Sequence, residues 1–387
     1  MEKLVLMNIL ALVNIMREKI LENAKYIAIL LIIAGFFSCY KQSSFVQEEE
    51  IVEQEIVEQE EEFVEPEEFT TGAFQKILDG YVVQAIAFDS KGNAWIGAFE
   101  LEVSEEENQK PKTQHYVIRY NVQETEFYNS ENSIIPKDFW IYDIAVDKND
   151  NVWIGGTGGL LKFDGIEFTL YNSNNTSMPE DVVWSVEVDS KNNIWMASCR
   201  FRQGGLVKYD GTQWTAYTPD NSALPDNSIN DIAIDQSDNV WLTVNDYLVK
   251  VSDEKWKVYD KNDLGLTNFI FAGIQFNSKN LLLGITDHSF NGFAIQPPSE
   301  LYNFDGKKST ILSKIDNITS IPGRTKITID NNDYVWCYGI ASACGVWIGD
   351  QWTQIDRSEF GGSSPWIIKE SPDHRIWFGT ANGIYIR

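Results

Sequence analysis

Histidine and cysteine are scarce in this chain, which has 3 histidines and 4 cysteines in 387 residues. So few histidines leave little material for a Ser-His-Asp or Cys-His catalytic site. So few cysteines exclude a disulfide-dense scaffold. Positive charge is also scarce, because 31 Lys and Arg face 57 Asp and Glu, for a formal net charge of −26. An acidic chain without a basic patch argues against nucleic acid or anionic lipid as a partner.

Long apolar runs are confined to the first 39 residues. The run Tyr26–Phe37 is too short to span a membrane comfortably and stops at Ser38-Cys39. A short hydrophobic core after a Lys-bearing stretch is typical of a secretory signal, and we expect the true start at Met16. The small residue and cysteine resemble a bacterial lipobox, which implies a signal peptide over residues 1–39 and lipidation of Cys39. An uncleaved single-pass anchor is the alternative.

An acidic segment follows the apolar run. Residues 47–69 contain twelve glutamates and neither lysine nor arginine. Charge that repels itself on so little apolar surface cannot offset the entropy of chain ordering. We therefore expect residues 40–70 to be a disordered tether. Without these glutamates the formal charge of the remainder is −14, from −26 plus 12, so the rest of the chain is acidic in its own right.

A supersecondary unit recurs seven times after residue 70. Each copy has a short apolar strand, a turn rich in Asp or Asn, and a strand centred on Trp. The fifth copy is degenerate, and we assign Leu282 to its Trp position. A period of roughly 40 to 60 residues built from short strands predicts a β-propeller. The copies begin at Ile86, Ile144, Val186, Ile232, Ile274, Ile327 and Ile368.

The ends of the repeat region predict how the ring closes. The last copy stops after its third strand, at Gly383–Arg387, and the segment Gly72–Ile77 before the first copy reads as an unattached fourth strand. Pairing the two removes sheet edges that would template aggregation. Residues 71–387 are thus predicted to form an all-β, seven-bladed propeller of four-stranded antiparallel blades, in which an N-terminal strand completes the last blade.

The repeat carries a family resemblance. Residues 153–165, with Trp-Ile-Gly-Gly followed by Gly-Gly-Leu-Leu-Lys-Phe-Asp-Gly, resemble the propeller repeat of periplasmic sensor regions of bacterial hybrid two-component regulators. The resemblance covers about residues 72 to 387 and implies a ligand- or partner-binding propeller outside the cytoplasm. Nothing follows Arg387, so we expect no immunoglobulin-like domain, exit helix or kinase.

Binding is predicted on the face that carries the long loops. The excursions are residues 98–114, 199–203 and 286–299, and long loops on a rigid scaffold commonly carry recognition. On the same face the inner strands begin at Gln84, Tyr142, Trp184, Asn230, Ala272, Thr325 and Trp366, with Lys326 one residue later in its copy. A ring of aromatic and carboxylate side chains suits a sugar, a peptide or a loop of an envelope protein. The alternative is that half of these side chains pack between the blades and do not line the mouth. The candidate ligand-binding residues are Tyr142, Asp143, Trp184, Arg200, Arg202, Asp231, His288 and Trp366.

Metal, disulfide and catalytic sites are weakly indicated. The turn Asp147–Asn151 resembles the start of a calcium loop but lacks the required Gly and Glu, so we expect turn-capping carboxylates and no metal or other cofactor. Cys337 and Cys344 flank one hairpin, where an extracytoplasmic disulfide is permitted but their diagonal placement opposes it. The histidines are spread over distant positions. A lyase or hydrolase at the channel mouth, as in the streptogramin lyases that this fold resembles, and an architectural envelope subunit remain the alternatives to binding.

Overall fold

The computed structural model of the chain describes residues 74–102, 112–200, 203–253, 255–266, 270–287, 299–315, 325–339, 344–349 and 351–387. These residues form seven four-stranded antiparallel sheets, one for each copy of the repeat. The predicted all-β, seven-bladed propeller is confirmed. Within six of the sheets the strands run in chain order from the inner strand to the outer one, and in the seventh the outermost strand comes from the start of the described chain. The inner strands of successive blades contact each other around a central channel.

The blades take their strands from consecutive stretches of chain. In blade 1 these are β2 (Tyr81–Phe88), β3 (Ala94–Glu102), β4 (Lys112–Tyr120) and β5 (Thr125–Tyr128). In blade 2 they are β6 (Ile141–Val146), β7 (Val152–Gly156), β8 (Gly159–Phe163) and β9 (Phe168–Tyr171). In blade 3 they are β10 (Val183–Val188), β11 (Ile194–Arg200), β12 (Gln203–Tyr209) and β13 (Trp214–Tyr217). In blade 4 they are β14 (Ile229–Ile234), β15 (Val240–Val244), β16 (Tyr247–Ser252) and β17 (Lys255–Tyr259).

The remaining blades follow the same plan. Blade 5 contains β18 (Ile270–Phe276), β19 (Leu282–Asp287), β20 (Ser299–Phe304) and β21 (Ser309–Ile315). Blade 6 contains β22 (Lys326–Ile329), β23 (Val335–Tyr338), β24 (Cys344–Ile348) and β25 (Gln351–Ile355). Blade 7 contains β26 (Pro365–Glu370), β27 (Ile376–Thr380), β28 (Gly383–Ile386) and, from the other end of the chain, β1 (Gln75–Ile77).

Among the described residues, helix is limited to two short turns between blades. Helix α1 (Lys261–Leu264) follows blade 4, and a 3-10 turn (Arg357–Phe360) follows blade 6. Asp260 caps α1 by accepting hydrogen bonds from two backbone amides, and Gly265 ends it in the left-handed conformation. No helix in the described part of the chain is long and apolar enough to cross a membrane.

Ring closure occurs as the ends of the repeat predict. Strand β1 pairs with β28 in antiparallel register, with Gln75 opposite Ile386 and Ile77 opposite Ile384. Phe74, just before β1, packs against three rings of blades 6 and 7, at centroid distances of 5.3, 5.6 and 6.4 Å. The two ends of the described propeller therefore hold each other, through backbone hydrogen bonds and a buried aromatic cluster.

Turn-capping aspartates explain the Asp- and Asn-rich turns. The Asp147 carboxylate accepts hydrogen bonds from the backbone amides of Asn149 (2.8 Å) and Asn151 (3.0 Å) and from the indole nitrogen of Trp153 (3.0 Å). The same Asp-to-Trp bond recurs in four other blades, as Asp89–Trp95, Asp189–Trp195, Asp235–Trp241 and Asp330–Trp336. This confirms the interpretation of the pattern as Asx capping. No group of three or more His, Cys, Asp or Glu among the described residues is placed to hold a metal ion.

A second interaction joins turns of this kind in neighbouring blades. The left-handed residue of one turn accepts hydrogen bonds from the turn before it, as when Ser190 of blade 3 donates its backbone amide (2.8 Å) and its hydroxyl (2.5 Å) to Asp238 of blade 4. Between blades 7 and 1 the corresponding residues are Pro372 and Gly92. Proline has no amide hydrogen and glycine has no side chain, so this bond cannot form at the closing junction. That junction depends on apolar packing and on β1.

The strand register corrects the assignment of the fifth copy. Trp241 of blade 4 pairs with Ala233, and the equivalent residue of blade 5, Gln275, pairs with Leu283. Leu283 therefore replaces the repeated Trp, and the assignment of Leu282 was wrong by one residue. The spacing of nine residues from Ile232 to Trp241, applied from Ile274, also leads to Leu283, so the assignment was a misalignment across a turn in which Leu281 stands where most other copies have Asn.

Candidate functional site

The inner strands share an irregularity at the channel mouth. In blades 1 to 5 and in blade 7 the ladder between the first and second strands skips a residue or two near its start. A β-bulge of this kind leaves the extra residue unpaired and changes the direction of its side chain. The skipped residues are Gln84, Tyr142, Trp184, Asn230, Ala272 with Gly273, and Trp366. These are the positions that the repeat alignment places at the mouth.

Two of the bulged aromatics meet. The rings of Tyr142 (blade 2) and Trp184 (blade 3) stack with centroids 4.1 Å apart and an interplanar angle of 28°. The indole nitrogen of Trp184 donates to the Cys199 carbonyl oxygen at 2.8 Å, which fixes the ring. Both side chains are half-buried. Trp366 (blade 7) is also half-buried, and its side chain makes no ring contact or hydrogen bond with any residue that the structure describes.

Three predicted charged residues come together in the channel. Asp143 accepts hydrogen bonds from the amides of Ile144 (2.9 Å) and Val186 (3.0 Å), the latter in the next blade. Asp231 likewise accepts from Ile274 of the next blade at 3.0 Å. The Lys326 ammonium of blade 6 forms an ion pair with Asp231 of blade 4. Each of the two carboxylates thus links its own inner strand to the inner strand of the next blade. The Lys326 ammonium connects blade 6 to blade 4, across blade 5.

The sequence reasoning missed two further charged residues in the channel. Glu187 (blade 3) and Lys369 (blade 7) lie two residues deeper along their inner strands than the Asp143 position. In blades 1, 2 and 4 the corresponding residues are Ala87, Ala145 and Ala233. A comparison of the copies would have identified both residues, because each is a charged residue at a position where three other copies have alanine.

The electrostatics of the channel set Glu187 apart. Burial raises the pKa of its carboxyl to about 7, against the opposing effect of the Lys369 ammonium and with a further contribution from the Asp143 carboxylate. Burial also raises the pKa of Asp143, and Lys369 and Lys326 oppose that rise. Groups from blades 2, 3, 4, 6 and 7 influence each other in this way because the inner strands surround one channel.

The other predicted site residues are less informative. Arg200 ends β11 and pairs with Gln203, and Cys199 pairs with Gly204, so these residues of the predicted excursion 199–203 belong to paired strands; its classification as a long loop was wrong. Arg202 and His288 lie outside the described residues. Their proposed contacts with a ligand stay predictions.

The described histidines are in structural positions. His115 is buried in blade 1, with its ring centroid 4.5 Å from that of Trp140 and 5.7 Å from that of Phe99, and burial lowers its pKa to about 4. His374 occupies a left-handed turn position in blade 7, where its Nδ1 lies 2.9 Å from the Glu370 carboxylate. That turn is at the opposite end of the inner strand from the mouth, as predicted.

The cysteines of blade 6, Cys337 and Cys344, are free thiols in the structure. Cys337 pairs with Gly345, so Cys344 is one residue out of register with it. Neighbouring residues in a strand point to opposite faces of the sheet. Cys337 packs in the apolar cluster towards blade 5 and Cys344 in the cluster towards blade 7. Burial raises the pKa of both thiols.

Comparison with known proteins gives a likeness of fold. No family model matches the chain, and no curated protein matches it. Solved structures do match. The extracellular domain of a putative hybrid two-component system from B. thetaiotaomicron has a TM-score of 0.58 at 17% identity, over 81% of this chain and 39% of that one. The chain shares the sensors' propeller fold. It spans well under half the length of that sensor chain.

Propellers with other roles match equally well. A catalytically inactive virginiamycin B lyase from Staphylococcus aureus with quinupristin has a TM-score of 0.60 at 13% identity, over 81% of this chain and 97% of that one. YCF48 from Cyanidioschyzon merolae has a TM-score of 0.55 at 12% identity, over 81% and 98%. A second YCF48 structure is described as bound to D1 peptide, at a TM-score of 0.55, 14% identity and coverage of 81% and 95%. Identities this low establish the fold and leave the function open.

Proposed function

We propose that this protein is a non-catalytic binding propeller of the cell envelope, which holds a peptide segment of a partner protein or a small glycan at the channel mouth. One observation carries the proposal: the bulge at the start of the inner strands recurs blade after blade, and in three blades it displays an aromatic side chain. Bulges are frequent beside binding sites because they re-aim a side chain while the sheet stays rigid.

The chemistry of the mouth favours a ligand with flat or apolar faces. The stacked pair Tyr142 and Trp184 is half-buried, and Trp366 is half-buried without an aromatic partner among the described residues. Exposed aromatic surface on a fixed scaffold stacks against sugar rings and against apolar peptide side chains at low entropic cost. Such residues commonly dominate the free energy of binding.

Localisation follows from the N-terminal segment and from the neighbours. The apolar run 26–37 before Cys39 has the form of a signal peptide, and one neighbour is the extracellular domain of a sensor. We propose an extracytoplasmic protein attached to the membrane by lipid on Cys39. The acidic residues 40–70 would hold the propeller away from an anionic membrane surface, since like charges repel.

Among the neighbours, YCF48 bound to D1 peptide is the example that supports peptide binding by this fold. The lyase neighbours support the catalytic alternative. We favour binding because His115 is buried among aromatic rings and His374 is paired with Glu370 at the far face. An architectural subunit would also bind its partner through the mouth, but it would bind no small ligand.

Quantitative capture from solubilised envelope, combined with a glycan array, tests the proposal. Trp184→Ala, Trp366→Ala and a combined Arg200→Ala, Arg202→Ala change are compared with Trp256→Ala, a half-buried tryptophan on the outer strand β17. Loss of one aromatic anchor is expected to weaken binding by about thirtyfold, whereas Trp256→Ala should bind normally. Melting temperatures are matched first, because removal of a packed Trp leaves a cavity.

The result that would contradict the proposal is equally specific. If folded mouth variants retain the partner or glycan and Trp256→Ala loses it, binding occurs elsewhere. If the wild type alters the bound compound chemically and the Trp366→Ala variant does not, the protein is an enzyme with its active site at the channel mouth.

A further inference from the structure

We propose that the central channel contains a second binding site, between Glu187 and Lys369. This site binds a small zwitterion with one ammonium and one carboxylate group, which is the chemistry of a free amino acid. This site lies deeper than the mouth. It is independent of the ligand proposed for the mouth, because none of the residues that define it belongs to the aromatic rim.

The repeat places the two charged residues at the same depth. Glu187 on β10 and Lys369 on β26 occupy the same position of the inner strand, one residue after Val186 and Ile368 respectively. Blade 3 and blade 7 are separated by two blades on one side and three on the other, so the two strands stand on nearly opposite sides of the ring. A carboxylate and an ammonium group thus face one channel from opposite walls.

Neither group is satisfied by the part of the protein that the structure describes. Within the described ranges, Glu187 and Lys369 form no side-chain hydrogen bond and no ion pair with each other or with any other residue. Their nitrogen and oxygen atoms lie more than 4.0 Å apart. A charge inside a protein without a partner is costly. A ligand with the complementary groups would satisfy both.

The neighbouring carboxylates already have hydrogen-bond or ion-pair partners. Asp231 is bound by Lys326 and by the Ile274 amide, and Asp143 is held by two backbone amides. What a ligand meets at the deeper level is therefore one group of each sign. A simple cation would be repelled by Lys369 and a simple anion by Glu187, whereas a zwitterion matches both.

Small side chains leave room beside the charged groups. At the same depth, blades 1 and 2 carry Ala87 and Ala145, which are partly exposed, and blade 4 carries Ala233, which is buried. Ala145 and Ala233 flank Glu187 on its two sides in the ring, and Ala87 stands beside Lys369. The raised pKa of Glu187, about 7, is the electrostatic consequence of a carboxyl group in this enclosed position.

Isothermal titration of the full chain with defined small molecules tests this inference. Glycine, β-alanine and γ-aminobutyrate are zwitterions with increasing separation of charge, and ethylamine and propionate carry one charge each. At about pH 8.5 the Glu187 carboxyl is ionised. We expect at least one zwitterion to bind with a Kd of about 1 mM or tighter, and ethylamine and propionate to bind at least about tenfold more weakly.

Variants locate the site. Glu187→Gln and Lys369→Gln should each weaken zwitterion binding by about tenfold or more, since each removes one charged hydrogen-bond partner. Glu167→Gln and Lys307→Gln change the same residue types on the exposed surface and should leave binding unchanged. The proposal is overturned if none of the three zwitterions binds. It is equally overturned if ethylamine binds as tightly as the zwitterions, or if binding survives both channel substitutions.

Discussion

Replacement of Glu187 by glutamine should change how stability depends on pH. The folded-state pKa of this carboxyl, about 7, lies above the value of 4.5 for an ordinary glutamate, and burial in the channel is the main cause. The protonated form is therefore favoured by folding. Its stabilising contribution is complete below about pH 4.5 and is lost as the pH rises through about 7. Glutamine stays neutral at every pH and should escape this loss.

The size of the effect follows from the shift. A rise from 4.5 to about 7 corresponds, at 1.36 kcal/mol per pKa unit, to about 3 kcal/mol over the full titration. About 2 kcal/mol of this falls between pH 5.5 and 8.5, a range that avoids precipitation near the isoelectric point of about 4.4. Relative to wild type, Glu187→Gln should gain about 2 kcal/mol of unfolding free energy across that range.

Urea denaturation followed by tryptophan fluorescence measures this difference at both pH values. Glu167→Gln, in an exposed hairpin, is the matched control and should show no such gain. Lys369→Gln should steepen the loss of stability with pH, because the Lys369 ammonium is the charge that most favours ionised Glu187. If the difference between Glu187→Gln and wild type is the same at pH 5.5 and pH 8.5, the channel does not hold this carboxyl in its protonated form.

Three further predictions concern the ring, the anchor and the turns. Deletion of residues 69–79 removes β1 and should make the protein aggregate on size-exclusion chromatography, because β28 is left with an open edge; a monomer with wild-type melting would contradict this. Labelled fatty acid should enter the wild type and be absent from Cys39→Ser, and equal labelling of both would rule out the lipid anchor. Asp238→Ala removes two hydrogen bonds from Ser190 and places alanine in a left-handed conformation, so thermal or urea unfolding should show a loss of about 1–2 kcal/mol, while Asp238→Asn retains most of the stability. An unchanged Asp238→Ala variant would mean that these bonds between blades contribute nothing.

Local patterns were sufficient to predict most of the fold. The Asp-x-x-x-Asn-x-Trp turns are readable from sequence because each capping bond joins residues at most six positions apart, as between Asp147 and Trp153. Repetition then gives the blade, and the incomplete last copy gives the closure by β1. The prediction failed where the copy lacked the Trp that anchors the alignment, so that Leu282 was assigned in place of Leu283.

The candidate site depended on tertiary structure. The repeat alignment identified Tyr142 and Trp184 separately, but only the twist that brings neighbouring blades together shows that their rings stack. Glu187 and Lys369 are 182 positions apart, from 369 minus 187, and nothing local connects them. They share a channel because seven blades close into a ring, and ring closure is a property of the whole chain. The sequence by itself determined the structure of each blade and the number of blades, because the interactions that form a blade join residues close together in the chain. Closure of the ring decided which charged residues share the enclosed channel, because burial and long-range electrostatics arise only once the ring has formed.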